Sequence, residues 1–111
     1  GSDIAGGFSV SLLRAMSDSI QTSKLYWRLM DHNAKPLTLE EVFYMATIGG
    51  GSFFGKVGSF EKGYEFDAVI LNDENLPYPQ EFTPLQRLER LVYLSDDRNI
   101  IGKYVAGTKI F

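Results

Sequence analysis

The chain has 111 residues, 44% of them hydrophobic and 23% charged. This is ordinary globular composition, long enough for one modest domain, and it excludes wholesale disorder. A net charge of −3 without clustered Lys and Arg argues against a nucleic-acid or anionic-membrane surface, and no apolar run approaches the roughly 18 residues of a membrane span.

Helices are expected first. Residues 9–30 read as a helix in which Val10, Leu13, Met16 and Ile20 form one apolar stripe, with Ser9 or Ser11 as its cap. The run Leu25-Tyr26-Trp27-Arg28-Leu29-Met30 is apolar on more than one face and is expected to pack under something else. Asp31-His32-Asn33 closes the helix, and Lys35-Pro36 enforces an extended link. Thr38-Leu39-Glu40-Glu41 then reads as a capping box, with Leu37 and Val42 as a hydrophobic staple. Leu39, Val42, Phe43 and Ala46 give the buried stripe of this second helix. Gly49-Gly50-Gly51 is expected to interrupt it, and Ser52-Phe53-Phe54 to add a turn stopped by Gly55.

After Gly55 the period changes. Residues 57–63 read as a short strand and a tight turn. Residues 66–71 read as a strand whose continuous apolar run suggests burial on both faces. A polar loop is expected over 72–79. Thr83-Pro84-Leu85-Gln86 opens a third helix, with Thr83 as N-cap and Leu85, Leu88, Leu91 and Val92 as its stripe. Residues 100–105 and 108–111 read as paired strands turning at Ala106-Gly107. Helices thus dominate the first half and strands the second, and the two units meet near Gly55.

The chemistry is limited by what is scarce. Cysteine is absent, which excludes disulfides and thiolate metal sites and fits a cytoplasmic protein. His32 is the single histidine, so neither a complete zinc site nor a Ser-His-Asp triad with a nucleophile elbow is present. Asp3 is the first candidate. It lies in Gly1-Ser2-Asp3-Ile4-Ala5-Gly6-Gly7, directly before the first helix, where an α/β barrel carries catalytic residues at a strand's C-terminal end. It reads either as a metal ligand and proton acceptor or as an exposed turn aspartate or cap. No strand precedes this motif, so the chain is expected to be the C-terminal part of a larger enzyme. His32 reads as a general base or, in its polar setting, as a solvated residue at a helix C-terminus. Gly49-Gly50-Gly51-Ser52 lacks the Lys-Ser or Lys-Thr of a phosphate-binding loop and reads as a place of close backbone approach. Asp96-Asp97 with Arg98 reads as a cation site or as a turn with a local ion pair. Trp27 with Tyr26 reads as a stacking platform or as core.

Three segments resemble the amidohydrolase superfamily and, within it, the guanine deaminases. The first is Gly1-Ser2-Asp3-Ile4-Ala5-Gly6-Gly7. The second runs from Leu39-Glu40-Glu41-Val42 through Ala46-Thr47 and Gly49-Gly50 to Gly58-Ser59-Phe60-Glu61-Lys62-Gly63-Tyr64-Glu65-Phe66-Asp67-Ala68. The third is Ser95-Asp96-Asp97-Arg98-Asn99-Ile100, where Ser95 stands in place of a typical Gly.

The resemblance implies an α/β fold. Residues 1–55 would be the C-terminal portion of a metal-dependent hydrolase (β/α)8 barrel: its last strand end and helices. Residues 56–111 would be part of a small composite β-sandwich, leaving unpaired edges over 57–71 and 100–111. It implies zinc as cofactor, with Asp3 as metal ligand and catalytic proton acceptor, and the histidine ligands in the N-terminal remainder of the same enzyme. Ser2 and Gly6 would position rather than react. Guanine would be deaminated hydrolytically to xanthine and ammonia by an intact enzyme that is expected to be a homodimer, while the segment alone would be inactive. The alternatives are another amidohydrolase acting on a triazine, a pyrimidine or a different purine, or a non-catalytic accessory module if the chain is complete.

Overall fold

The computed structural model describes residues 2–3, 5–7, 9–76, 78 and 80–111. Gly1, Ile4 and Phe8 of the N-terminal segment, and Pro77 and Pro79 of the loop expected over 72–79, lie outside the described residues.

Helix α1 spans Leu12–Leu29. It begins later than the sequence suggests because Ser11, not Ser9, caps it: the Ser11 hydroxyl accepts from the Arg14 amide at 3.2 Å. Ser9 instead accepts from the Ser11 amide, and Val10 is left outside the helix and exposed. Met16 and Ile20 are buried and Leu13 packs beside them, as their spacing requires. The run from Leu25 to Met30 is exposed within this chain.

Helix α2 covers Leu39–Tyr44 and carries the expected capping box. Thr38 accepts from the Glu41 amide, and the Glu41 carboxylate accepts from the Thr38 amide. Val42 is buried, with Leu37, Leu39 and Ala46 packed against the same cluster, whereas Phe43 faces outward. The glycines do not break this helix. It widens into a π segment, Met45–Gly49, and remains helical through Gly51 before turning at 52–54. The close approach does occur: a side chain on Gly51 would lie 2.7 Å from the Val57 carbonyl oxygen. Gly55 ends the turn with a left-handed φ of +113°.

No strand forms over 57–63, although the tight turn does: the Tyr64 amide donates to the Glu61 carbonyl. Strand β1 is Ala68–Leu71, β2 is Ile100–Val105 and β3 is Thr108–Lys109. They form an antiparallel sheet in the order β1-β2-β3, so β2 is paired on both sides and only β1 and β3 present edges. Val69 and Ile70 are exposed, contrary to a strand buried on both faces. A continuous apolar run signals that cover is wanted, and among the described residues nothing supplies it.

Helix α3, Pro84–Leu94, opens with the expected Thr83–Gln86 capping box and Pro84 in its first turn. Its Leu91 and Val92 are buried and Leu88 is half-buried, while Leu85 is exposed. Val92 joins Met16, Ile20 and Val42 in one cluster, so α1, α2 and α3 share a single small core. A short 3-10 turn, Asp97–Asn99, leads from α3 into β2.

Candidate functional site

Asp3 sits on a sharply bent segment. Its φ is +49° and that of Ala5 is +90°, and the Gly7 amide donates to the Asp3 carbonyl. Left-handed backbone is rare for non-glycine residues and clusters where geometry serves a site. The Asp3 side chain is exposed and makes no hydrogen bond or ion pair among the described residues. It is therefore not a helix cap, since Ser11 holds that place. A shallow cavity beside it is lined by Ser2, Gly7, Ser9, Ser11, Arg14 and Asp18. Within it Arg14 and Asp18 pair with each other at 3.2 Å, one helical turn apart.

A carboxylate that is exposed and unengaged suits a hard divalent ion or zinc as one oxygen donor. It is one donor only. Among the described residues no group of three or more His, Asp or Glu is placed to hold a metal, so the donor set is incomplete within this chain.

The other candidates resolve into structure. His32 is exposed, and its carbonyl accepts from the Trp27 indole at 3.2 Å, which ties that ring to the helix end. His32 lies beyond the far end of α1 from Asp3, roughly 27 Å of helix at ~1.5 Å per residue. The two do not form one site. The glycine run cannot cradle a phosphate through its backbone, because the Gly50 amide already donates to the Met45 and Thr47 carbonyls. Asp96 is gripped by Arg98, with a closest approach of 2.6 Å, and that guanidinium holds its carboxyl below the usual range. The pair is a local turn device.

Two further polar side chains, neither of them a candidate from the sequence, are buried and engaged. Asn99 is fully buried and donates to the Asn72 carbonyl at 2.7 Å and to Asn75 Oδ1 at 2.6 Å, while accepting from the Asp96 amide at 3.0 Å. Asp73 is buried and bound by Arg87 of α3. Arg90, one turn further along α3, lies over the Tyr78 and Phe82 rings at 5.2 and 5.0 Å. These residues fasten the loop after β1 to α3 and to the turn before β2. They are structural, and apart from the local box of Asp96 with Asn99 their partners are distant in sequence.

No described helix is long and apolar enough to cross a membrane. The sequence signature of the amidohydrolase family matches residues 1–110. Human guanine deaminase is 37% identical over 99% of this chain and 26% of its own length. The Dictyostelium discoideum guanine deaminase is 38% identical over the same shares. Among solved structures, guanine deaminase from C. acetobutylicum, with guanine bound in its active site, superposes with a TM-score of 0.93 at 52% identity, over 100% of this chain and 26% of that one. The E. coli enzyme gives 0.80 at 27% identity over the same shares. The chain thus spans about a quarter of the length of the relatives it matches.

Proposed function

Because this chain belongs to the amidohydrolase family, we propose that it is the C-terminal segment of a zinc-dependent guanine deaminase, which hydrolyses guanine to xanthine and ammonia. The observation that carries the reading is the near-superposition, at 52% identity, on a guanine deaminase with guanine in its active site.

In this reading residues 1–55 supply the last strand end and helices of a (β/α)8 barrel, and residues 56–111 contribute to a small β-sandwich. The open edges of β1 and β3 and the exposed Val69, Ile70, Ile101 and Val105 support a sheet completed and covered by strands from elsewhere in the enzyme. The intact enzyme is read as a cytoplasmic homodimer.

Asp3 would hold zinc through one carboxylate oxygen, beside histidines supplied by the rest of the enzyme. Zinc, when bound, brings the pKa of a water ligand toward neutrality, so that it can attack the purine carbon bearing the amino group. Asp3 would accept the proton that this water gives up. A carboxylate suits that task because it can bind a cation and carry a proton in turn. Among the described residues its carboxylate has no hydrogen-bond or ion-pair partner, which leaves both oxygens available.

The test is guanine turnover, followed as xanthine formation, by the complete zinc-loaded enzyme. Turnover abolished by Asp3→Asn supports the activity and the residue together. A folded, zinc-loaded protein inert toward guanine would move the substrate to a triazine, a pyrimidine or another purine.

A further inference from the structure

The glycines beside Asp3 differ in what a side chain placed on them would strike. A Cβ on Gly6 would lie 2.5 Å from Asp3 Oδ2, 3.1 Å from its Cγ and 3.4 Å from Oδ1. A Cβ on Gly7 would instead collide with the Ser2 carbonyl oxygen and lie 3.1 Å from that of Asp3, both main-chain atoms. Gly6 is exposed and has no left-handed φ, so neither enclosure nor backbone conformation demands glycine there. What demands it is the Asp3 carboxylate.

We propose that Gly6 is a positioning residue for Asp3: the space left by its missing side chain is the space the Asp3 carboxylate occupies. This inference rests on the reading of Asp3 as the zinc-holding, proton-accepting group. The relief of a methyl group at Gly6 is cheap in stability and costly in geometry. Swinging an exposed, unpartnered carboxylate to another rotamer is soft, whereas moving main chain is not. Reactive groups tolerate little such motion, and a misplacement of about 1 Å costs on the order of 100-fold in rate. Gly6→Ala therefore separates function from folding, and Gly7→Ala does not.

The experiment compares Gly6→Ala, Gly7→Ala, Asp3→Ala and the Gly6→Ala/Asp3→Ala pair in the complete enzyme. It reads kcat and KM for guanine, retention of zinc against a chelator, and the thermal midpoint. The expected result for Gly6→Ala is a kcat and zinc retention reduced about 10- to 100-fold, KM within about threefold, and a midpoint, compared between the zinc-free proteins so that lost zinc binding does not enter it, close to that of the parent. In the Asp3→Ala background the same substitution should have no further effect on zinc retention, because the group it displaces is gone. Parental kcat and zinc retention in Gly6→Ala would overturn the inference. So would a midpoint lowered as far as that of Gly7→Ala, or an undiminished effect without the Asp3 carboxylate. Parental behaviour of Asp3→Ala would remove the underlying reading of Asp3 itself, a result distinct from failure at Gly6 alone.

Discussion

Arg87 of α3 closes on Asp73, in the loop after β1, with two parallel hydrogen bonds: Nε to Oδ2 at 2.7 Å and Nη2 to Oδ1 at 2.6 Å. The fork geometry of guanidinium matches a carboxylate in this way, and it binds the sheet's first loop to the helical layer. The Arg87 hydrogen bonds hold the Asp73 carboxyl below its ordinary range against an opposing contribution from burial.

That depression has a sign. The folded carboxyl titrates below its unfolded value of about 3.9, so the pair's stabilisation is fully present above that pH and is lost as pH falls through the folded value. Asp73→Asn should flatten the acid limb of an unfolding-against-pH curve. Arg87→Ala should raise the Asp73 titration, read by carboxyl NMR. An Asp73 that titrates unchanged in Arg87→Ala would refute the assignment.

Asn99 does the matching work on the other side of the loop. Its amide satisfies the Asn72 carbonyl, Asn75 Oδ1 and the Asp96 amide from a fully buried position. Asn99→Ala strips all of these partners at once, and buried polar groups left unpaired cost about 1–3 kcal/mol each. With part of that loop open to water, a loss of about 2–3 kcal/mol in urea unfolding is expected. Asn99→Asp should be at least as damaging, since a carboxylate cannot donate to either oxygen acceptor. A variant midpoint equal to the parent's would show that the loop repacks around the loss.

The contrast between these residues and the capping boxes explains what the sequence reveals. Thr38 with Glu41 and Thr83 with Gln86 are legible because each partner is one helical turn away and the pattern is the interaction. Asp73 and, beyond its local box with Asp96, Asn99 meet partners 14 to 27 residues distant, and only the assembled fold brings them together. Gly49-Gly50-Gly51 misleads because glycine's low helix propensity is a weak preference. The π segment and the approach to Val57 override it. Val69 and Ile70 read as buried, yet they lie exposed, because an apolar run says that cover is favoured and not where it comes from. Asp3 is legible as a residue at a special backbone position, with its φ of +49°, whereas no set of metal donors gathers around it among the described residues.

The capping box of α3 offers a calibrated test. Thr83 Oγ1 accepts from the Gln86 amide at 3.3 Å, and Gln86 Oε1 accepts from the Thr83 amide at 2.9 Å. Thr83→Ala should cost about 1 kcal/mol, and Thr83→Ser should recover most of it. Hydrogen exchange at the Gln86 and Arg87 amides should quicken in the alanine variant alone. Equal exchange in both variants would mean the cap contributes nothing.

The β2–β3 turn stores strain that can be removed. Ala106 and Gly107 join Val105 to Thr108 with φ values of +48° and +77°, the two positive φ angles a type I′ turn requires. Alanine pays for a left-handed conformation that asparagine tolerates better and glycine adopts freely. The turn is otherwise well tied, with the Ala106 amide donating to Asp67 Oδ1 at 2.8 Å and the Gly107 amide to the Phe66 carbonyl at 3.0 Å. Ala106→Asn should therefore stabilise by roughly 0.5–1 kcal/mol. Gly107→Ala should destabilise by about 1 kcal/mol, although a Cβ there would meet nothing within 4 Å. The two substitutions differ in whether they suit a left-handed residue. Thermal midpoints that move in opposite directions would identify backbone conformation as the cause; a common direction would point to the Asp67 and Phe66 contacts instead.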